Sequence, residues 1–371
     1  MKIKKLVLLF SSMMCLCSCG DTSSTTSTTK EETPMNYINY LGRYTFENID
    51  GKEIPTFSYS CAGFELKVNI KSSNYTFKIK LYSKIIEHLT QYINLYVDDV
   101  LTSKVELKNG YELVNIPNLS VGEHVIRINK LNEAQFTKIG LMEYDMQDVE
   151  LTHIEKHSKR KMEVYGDSIT CGYGNLASSN TESFSTKTED GMQAYGALCA
   201  EELGFDYNII SESGIGMSMN PFGSDIYLGD IAKTADLVNP WDYQNYIPDF
   251  VVINIGTNDN TKYQMLKDSE KASEVVKFKE NYLNMMKSLR EAYGEDVKFV
   301  CIANTMINIS NDLIKAIDEV IKEMNTLYDR CSFFYSFDPD NKGADGHPGL
   351  EAHKKDASIL ADFITMLDES Y

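Results

Sequence analysis

From Met162 to the end, the chain repeats one pattern: a short apolar run, a turn of small polar residues, then a segment with helical spacing. The apolar runs are Met162 and Val164 before Gly166, Tyr207 to Ile210, Phe250 to Ile255, Val297 to Ala303 and Cys331 to Phe337. The third, FVVINI, is apolar on both faces, as a strand covered from both sides must be. Between the runs lie amphipathic segments. One spans Met192 to Leu203 and stops at Gly204; another carries Phe278, Tyr282, Met285, Met286, Leu289 and Tyr293 and stops at Gly294. A third carries Leu313, Ile317, Ile321 and Met324, and a last one runs through Leu367. Strands alternating with helices predict a parallel sheet with helices on both faces, a three-layer α/β/α domain over residues 162–371.

The distinctive residues of this half all fall just after a predicted strand. Gly166-Asp167-Ser168 follows the first, Gly214 and Gly216 the second, Gly256-Thr257-Asn258-Asp259 the third and Asp345-Gly346-His347-Pro348 the last. In a parallel sheet those four loops share the carboxyl edge, where open α/β sheets carry their ligands. A serine hydroxyl is a weak nucleophile that needs a base, and the base needs an orienting group. Ser168 and His347 are the candidates for the first two. The nucleophile does not stand in GxSxG, so the strained elbow of α/β-hydrolases is not expected. Gly172-x-Gly174 lacks the third glycine and following helix of a phosphate-binding fingerprint.

The four blocks, GDSIT, the SGIG glycines, GTND and DGHP, resemble the SGNH (GDSL-type) hydrolases over roughly residues 160–370. The resemblance implies that Ser168 attacks an ester carbonyl, that His347 serves as base and then acid, and that Asp345 accepts a hydrogen bond from the other ring nitrogen. Many members of that family space the acid and the histidine one residue further apart. The shorter Asp345-Gly346-His347 form fits the carbohydrate esterases, some of which lack the acid. The oxyanion would be held by the N–H of Ser168, the N–H of a block-two glycine and the amide of Asn258. Gly216 matches best by distance from the strand end, with Gly214 as the alternative. Such donors contribute ~3–4 kcal/mol each in a water-poor pocket. No metal and no cofactor are implied.

Residues 35–150 read differently. Leu66, Val68 and Ile70 alternate with Lys67, Asn69 and Lys71; Phe77, Ile79 and Leu81 alternate with Lys78 and Lys80; Ile93, Leu95 and Val97 precede Asp98-Asp99. Period-two patterning between turn signals predicts an antiparallel sandwich with one sheet face in water. A β-sandwich before an SGNH domain resembles the two-domain carbohydrate esterase family 2, with similar runs at FSYSCAGFELKVNI (57–70) and GEHVIRINKLNEA (122–134). That resemblance implies a jelly-roll-like domain and an enzyme removing acetyl groups from polysaccharide such as xylan; a lipase or aryl esterase and a non-catalytic glycan-binding lipoprotein are the alternatives. Trp241, the sole tryptophan, lies with Tyr243 and Tyr246 in a loop that could stack a sugar ring or serve as a packing anchor.

At the amino end, Lys2, Lys4 and Lys5 precede an apolar stretch too short to span a bilayer. It ends in Leu16-Cys17-Ser18-Cys19-Gly20, which resembles a bacterial lipobox. That resemblance implies a signal peptide over 1–18 and a lipid on Cys19, hence a cell-surface or periplasmic lipoprotein held at a membrane. Residues 19–34 are Ser/Thr-rich and read as a flexible tether. The remaining five cysteines are widely and irregularly spaced, so neither a zinc site nor a disulfide framework is expected. His153 and His157 are four apart within the polar segment 151–161, but that segment has no HExxH pattern and reads as a linker. A net charge of −18 argues against non-specific nucleic-acid binding, whose electrostatics need clustered Lys and Arg.

Overall fold

The computed structural model describes residues 37–86, 88–154 and 159–369. The expected signal peptide and tether, with Cys19, lie outside these residues, as does the 155–158 stretch containing His157.

The amino-terminal half is two antiparallel sheets packed face to face. One contains β1 (Ile38–Leu41), β4 (Gly63–Ile70), β6 (Gln91–Val97), β7 (Val100–Leu107), β9 (Gly122–Lys130) and β11 (Val149–Leu151). Its order is β1-β4-β9-β6-β7, with β11 sharing the edge of β4 that β1 occupies further along. The other contains β2 (Thr45–Ile49), β3 (Lys52–Phe57), β5 (Tyr75–Ile85), β8 (Gly110–Leu119) and β10 (Thr137–Tyr144), in the order β2-β3-β10-β5-β8. The residues the alternation assigns inward, Leu66, Val68, Ile70, Phe77, Ile79 and Leu81, are all buried in one core with Ile126 and Ile128. Each such side chain contributes ~1.5–3 kcal/mol through burial. At its carboxyl end β9 departs from alternation: Asn129 and Lys130 are both buried, because here the strand leaves the sandwich and enters the second half of the molecule.

The carboxyl-terminal half is a five-stranded parallel sheet: β12 (Lys161–Gly166), β13 (Asp206–Ser211), β14 (Phe250–Asn254), β15 (Lys298–Ala303) and β16 (Ser332–Ser336), in the order β13-β12-β14-β15-β16. Side chains alternate across it. Val251, Ile253, Phe299 and Cys301 face a core shared with Phe278, Tyr282, Leu313 and Ile317. Phe250, Val252, Val300 and Ile302 face a core shared with Cys199, Leu360 and Ile364. The helices are α1 (Ser168–Cys171), α2 (Tyr195–Leu203), α3 (Leu228–Ile231), α4 (Thr257–Gln264), α5 (Asp268–Tyr293), α6 (Asn311–Tyr328) and α7 (Leu350–Glu369). The two-domain architecture is thus an antiparallel β domain followed by an α/β/α domain. One difference from expectation is local. The GTND segment expected as a loop forms the first turn of α4, entered through Gly256 at φ +120°.

The two halves share core. Tyr59 belongs to one apolar cluster of the α/β domain, and Cys61 and Leu131 belong to the other. Arg43 of the β domain is fully buried against Glu163 at 3.1 Å, and also donates to the Tyr165 hydroxyl and to the carbonyls of Ala232 and Thr234.

Candidate active site

The strand order reverses at β12, whose neighbours β13 and β14 lead off in opposite directions. That reversal opens a crevice at the carboxyl edge. β12 ends at Gly166, where any Cβ would stand 2.1 Å from Thr170 Oγ1 and 2.8 Å from the Asn254 carbonyl. Only glycine leaves room for Thr170 and the Asn254 carbonyl to come so close. Asp167 then caps α1 by accepting from the Ile169 N–H, at 3.0 Å, and burial pushes its carboxyl up to about 7. Ser168 is the first helical residue, 7% exposed; as such its N–H has no intrahelical acceptor.

His347 follows β16 through the short 3₁₀ turn Ala344–Gly346. Its Nε2 lies 2.9 Å from Ser168 Oγ. Its Nδ1 lies 3.2 Å from the Ala344 carbonyl. A carbonyl can only accept, so Nδ1 carries the proton and Nε2 is left to accept from the serine hydroxyl. Burial lowers the imidazole pKa below its ordinary value, partly offset by the Ala344 carbonyl and by the charge of Asp345. The ring is therefore neutral and basic at neutral pH.

Asp345 does not take the place expected of it. It sits at φ +49°, and its carboxylate turns outward to accept from the Tyr173 hydroxyl at 3.1 Å and the Phe184 N–H at 3.0 Å. With a single residue between acid and histidine, the tight turn presents the Ala344 carbonyl, and not the carboxylate, to Nδ1. The acid instead fastens Tyr173, whose ring stacks on His347 with centroids 4.2 Å apart. Phe184 stacks in turn on Tyr173 at 4.1 Å, and Phe136 of the β domain lies 5.5 Å beyond. Sequence reasoning missed Tyr173, although it stands in the same GDSITCGYG stretch as the serine.

Asn258 and the block-two loop also come to the crevice. Asn258 Nδ2 donates to the Ile215 carbonyl at 2.8 Å; its second N–H makes only a long 3.4 Å contact with Asp167. Asp259, fully buried, accepts from the N–H groups of Met217, Ser218 and Met219 at 2.8, 2.8 and 2.9 Å, which fixes the loop; burial raises its carboxyl to about 6. Gly216 is unsuited to the oxyanion role, because its N–H is already spent on Asn220 Oδ1 at 2.6 Å. The alternative, Gly214, sits at φ +82°, and no acceptor takes its N–H among the described residues. Beside it lies Phe222, 82% exposed, whose ring a Cβ on Gly214 would touch at 2.9 Å.

Other candidates fall elsewhere. Trp241 is buried against Tyr44 and the Arg43 guanidinium, a packing anchor. Tyr243 packs on Tyr293 and Arg43, and the Tyr246 hydroxyl binds the carbonyls of Met162 and Asp206, at the amino edge of the sheet. None of the three can wall a sugar beside Ser168. Cys171 is buried, and burial together with Glu133 pushes its thiol well up, so it is unreactive. His153 is exposed, and no cluster of His, Cys, Asp and Glu that could hold a metal occurs among the described residues.

Residues 164–354 match the model of the GDSL-like Lipase/Acylhydrolase family, and residues 40–153 match that of the Carbohydrate esterase 2 N-terminal domain. Among curated proteins, the chain is 28% identical over 338 residues to the cellulase/esterase CelE of Acetivibrio thermocellus, covering 87% of this chain and 38% of that protein. It is 25% identical over 273 residues to an acetylxylan esterase / glucomannan deacetylase of Cellvibrio japonicus, covering 70% and 72% of the two chains. A second such Cellvibrio japonicus protein is 26% identical over 237 residues, 62% of this chain and 65% of that one. Among solved structures, a family two carbohydrate esterase from Clostridium thermocellum in complex with cellohexaose superposes with a TM-score of 0.77 at 26% identity, over 88% of this chain and 98% of that one.

Proposed function

The chain belongs to the GDSL-like lipase/acylhydrolase family, and on that premise we propose that it is a serine esterase removing O-acetyl groups from polysaccharide. The observation that carries this is the 2.9 Å contact between His347 Nε2 and Ser168 Oγ at the switch point of the sheet. Ser168 Oγ attacks the acetyl carbonyl carbon while His347 Nε2 takes the hydroxyl proton. The carbonyl oxygen becomes an oxyanion facing the N–H groups of Ser168 and Gly214 and the Asn258 amide. The intermediate collapses as the imidazolium hands its proton to the leaving sugar oxygen, giving a free hydroxyl and acetyl-Ser168. Water then attacks the acyl carbon, losing its proton to His347, and the returning proton restores the serine as acetate departs.

The imidazolium formed in each half-reaction is held by the Ala344 carbonyl at Nδ1 and stabilised through space by Asp345. This sets an expectation for Asp345→Asn. Where a carboxylate orients the histidine directly, its loss costs ~10⁴ in kcat. Here the loss should be about tenfold or less, because the carbonyl keeps the tautomer. Removing the negative charge also removes an influence that raises the His347 pKa. The acid limb of the kcat/KM profile should therefore move to lower pH. A pH–rate profile of the two proteins between about pH 4 and 9 checks both points.

Polysaccharide is favoured by what the relatives are: an acetylxylan esterase / glucomannan deacetylase, and an esterase complexed with cellohexaose. The exposed ring of Phe222 beside Gly214 offers an apolar face for a sugar next to the oxyanion donors. A charge of −18 suits a neutral glycan better than a polyanion. The proposal includes export and a lipid on Cys19, from the lipobox-like amino terminus, and a domain division at the 151–161 segment. Acetate release from acetylated xylan, glucomannan and pectin, measured in parallel with turnover of p-nitrophenyl acetate through octanoate, tests it. Turnover should fall as the acyl chain lengthens; a rate that rises toward octanoate, with no acetate from any glycan, would make the protein a lipase or aryl esterase.

A further inference from the structure

We infer that Glu133, carried by the β domain, is a positioning residue for the oxyanion hole of the α/β domain. The segment that holds it leaves the sandwich at the end of β9. Leu131 enters an apolar cluster of the α/β domain, and its carbonyl accepts from the Gly191 N–H at 3.0 Å. Asn132 Nδ2 donates to the Thr186 carbonyl at 2.7 Å and to Glu189 Oε2 at 3.1 Å. The Glu133 side chain, fully buried, then reaches the block-two loop.

Its carboxylate gathers donors from both segments that would hold the oxyanion. Oε1 accepts from Ser213 Oγ at 2.6 Å, and Oε2 from the Ser213 N–H at 2.7 Å. Ser213 immediately precedes Gly214. Oε2 also accepts from the Cys171 thiol at 3.6 Å, and Cys171 closes the turn of α1 that Ser168 opens. Gln135 Nε2 supplies a further bond at 2.8 Å. A buried carboxylate is costly unless well satisfied, and here the two shortest of its hydrogen bonds come from the loop that bears Gly214. Burial raises the Glu133 carboxyl above its ordinary value, and the hydrogen bonds from Ser213 and Gln135 draw it partly back down. Lys130 Nζ is turned to the carbonyls of Asn132 and Glu133, and burial beside Glu133 pushes Glu189 well up, toward the neutral acid.

Glu133 does not face the reacting atoms; it acts through Ser213. An N–H displaced by a fraction of an ångström from the developing oxyanion loses much of its effect, and a misplacement of about 1 Å can cost ~10²-fold. The α/β domain alone would therefore hold the nucleophile and base but leave one oxyanion donor loosely placed.

The inference rests on the esterase function proposed above. It is tested in the full-length protein with Glu133→Gln and Ser213→Ala, using p-nitrophenyl acetate and counting active sites by titration with phenylmethanesulfonyl fluoride. Glu133→Gln keeps the volume but cannot accept both Ser213 donors, so kcat per active site should fall ~10–100-fold with KM nearly unchanged. Ser213→Ala keeps the N–H bond and should lose less, about three- to tenfold, and the double variant should be little worse than Glu133→Gln alone. A merely structural role would reduce the number of titratable sites, not the rate at each. Rates per site within about twofold of wild type in both variants would overturn the inference. Should Glu133→Gln fail to fold, Ser213→Ala decides by itself: an unchanged rate per site overturns the inference. A wild-type protein with no ester turnover sinks the esterase function and this inference with it, whereas wild-type turnover with unaffected variants sinks this one alone.

Discussion

Ser168→Ala will lower kcat on p-nitrophenyl acetate by at least ~10⁴-fold while leaving the fold intact. Loss of the nucleophile in a serine hydrolase costs up to ~10⁶ in kcat, with a small residual rate from binding and oxyanion donors. The serine hydroxyl makes one hydrogen bond, to His347 Nε2 at 2.9 Å, so its removal should change stability by no more than ~1 kcal/mol. The two measurements together separate a catalytic from a folding defect. Turnover in the variant above about a tenth of wild type would sink the nucleophile assignment. Absent turnover in both, with unchanged binding of a cello- or xylo-oligosaccharide, would instead point to a glycan-binding protein on an esterase fold.

Arg43→Ala should produce the largest loss of stability of any single change outside the site. The guanidinium is fully buried between the two domains, bonded to Glu163, to the Tyr165 hydroxyl and to two backbone carbonyls, with the rings of Tyr165, Trp241 and Tyr243 around it at 5.4–5.7 Å. Truncation leaves the Glu163 carboxylate buried without its cation. It also removes the guanidinium donor from the Thr234 carbonyl and leaves the Ala232 carbonyl with the Tyr243 hydroxyl alone. Breaking one partner of such a pair costs ~3–5 kcal/mol. At roughly 2 °C per kcal/mol for a chain this long, the Tm should fall by roughly 6–10 °C. Arg43→Met combined with Glu163→Gln should recover much of the loss, because removing both charges leaves no orphan. Thermal unfolding of the single and double variants checks this; a single-variant loss under ~1 kcal/mol would show the pair to be dispensable.

The amino-acid sequence by itself determined the layers and the meeting place of the four loops. Hydrophobic period is a local property, so the alternation of Leu66, Val68 and Ile70, and the doubly apolar Phe250 to Ile255 run, could be assigned without knowing any neighbour. Strand-to-helix alternation then left one edge on which Ser168, Asn258 and His347 could stand. Tertiary structure alone decided which atoms those loops present to one another. Whether Nδ1 of His347 meets a carboxylate or a carbonyl depends on the backbone dihedrals of a three-residue turn, and Asp345 at φ +49° aims its side chain away. Whether Gly214 or Gly216 has an N–H to give depends on Asn220, four residues on, consuming the second. The roles of Arg43 and Glu133 were not legible, because Arg43 meets Glu163 120 positions on and Glu133 meets Ser213 80 positions on, and neither period nor spacing reports such distant pairings.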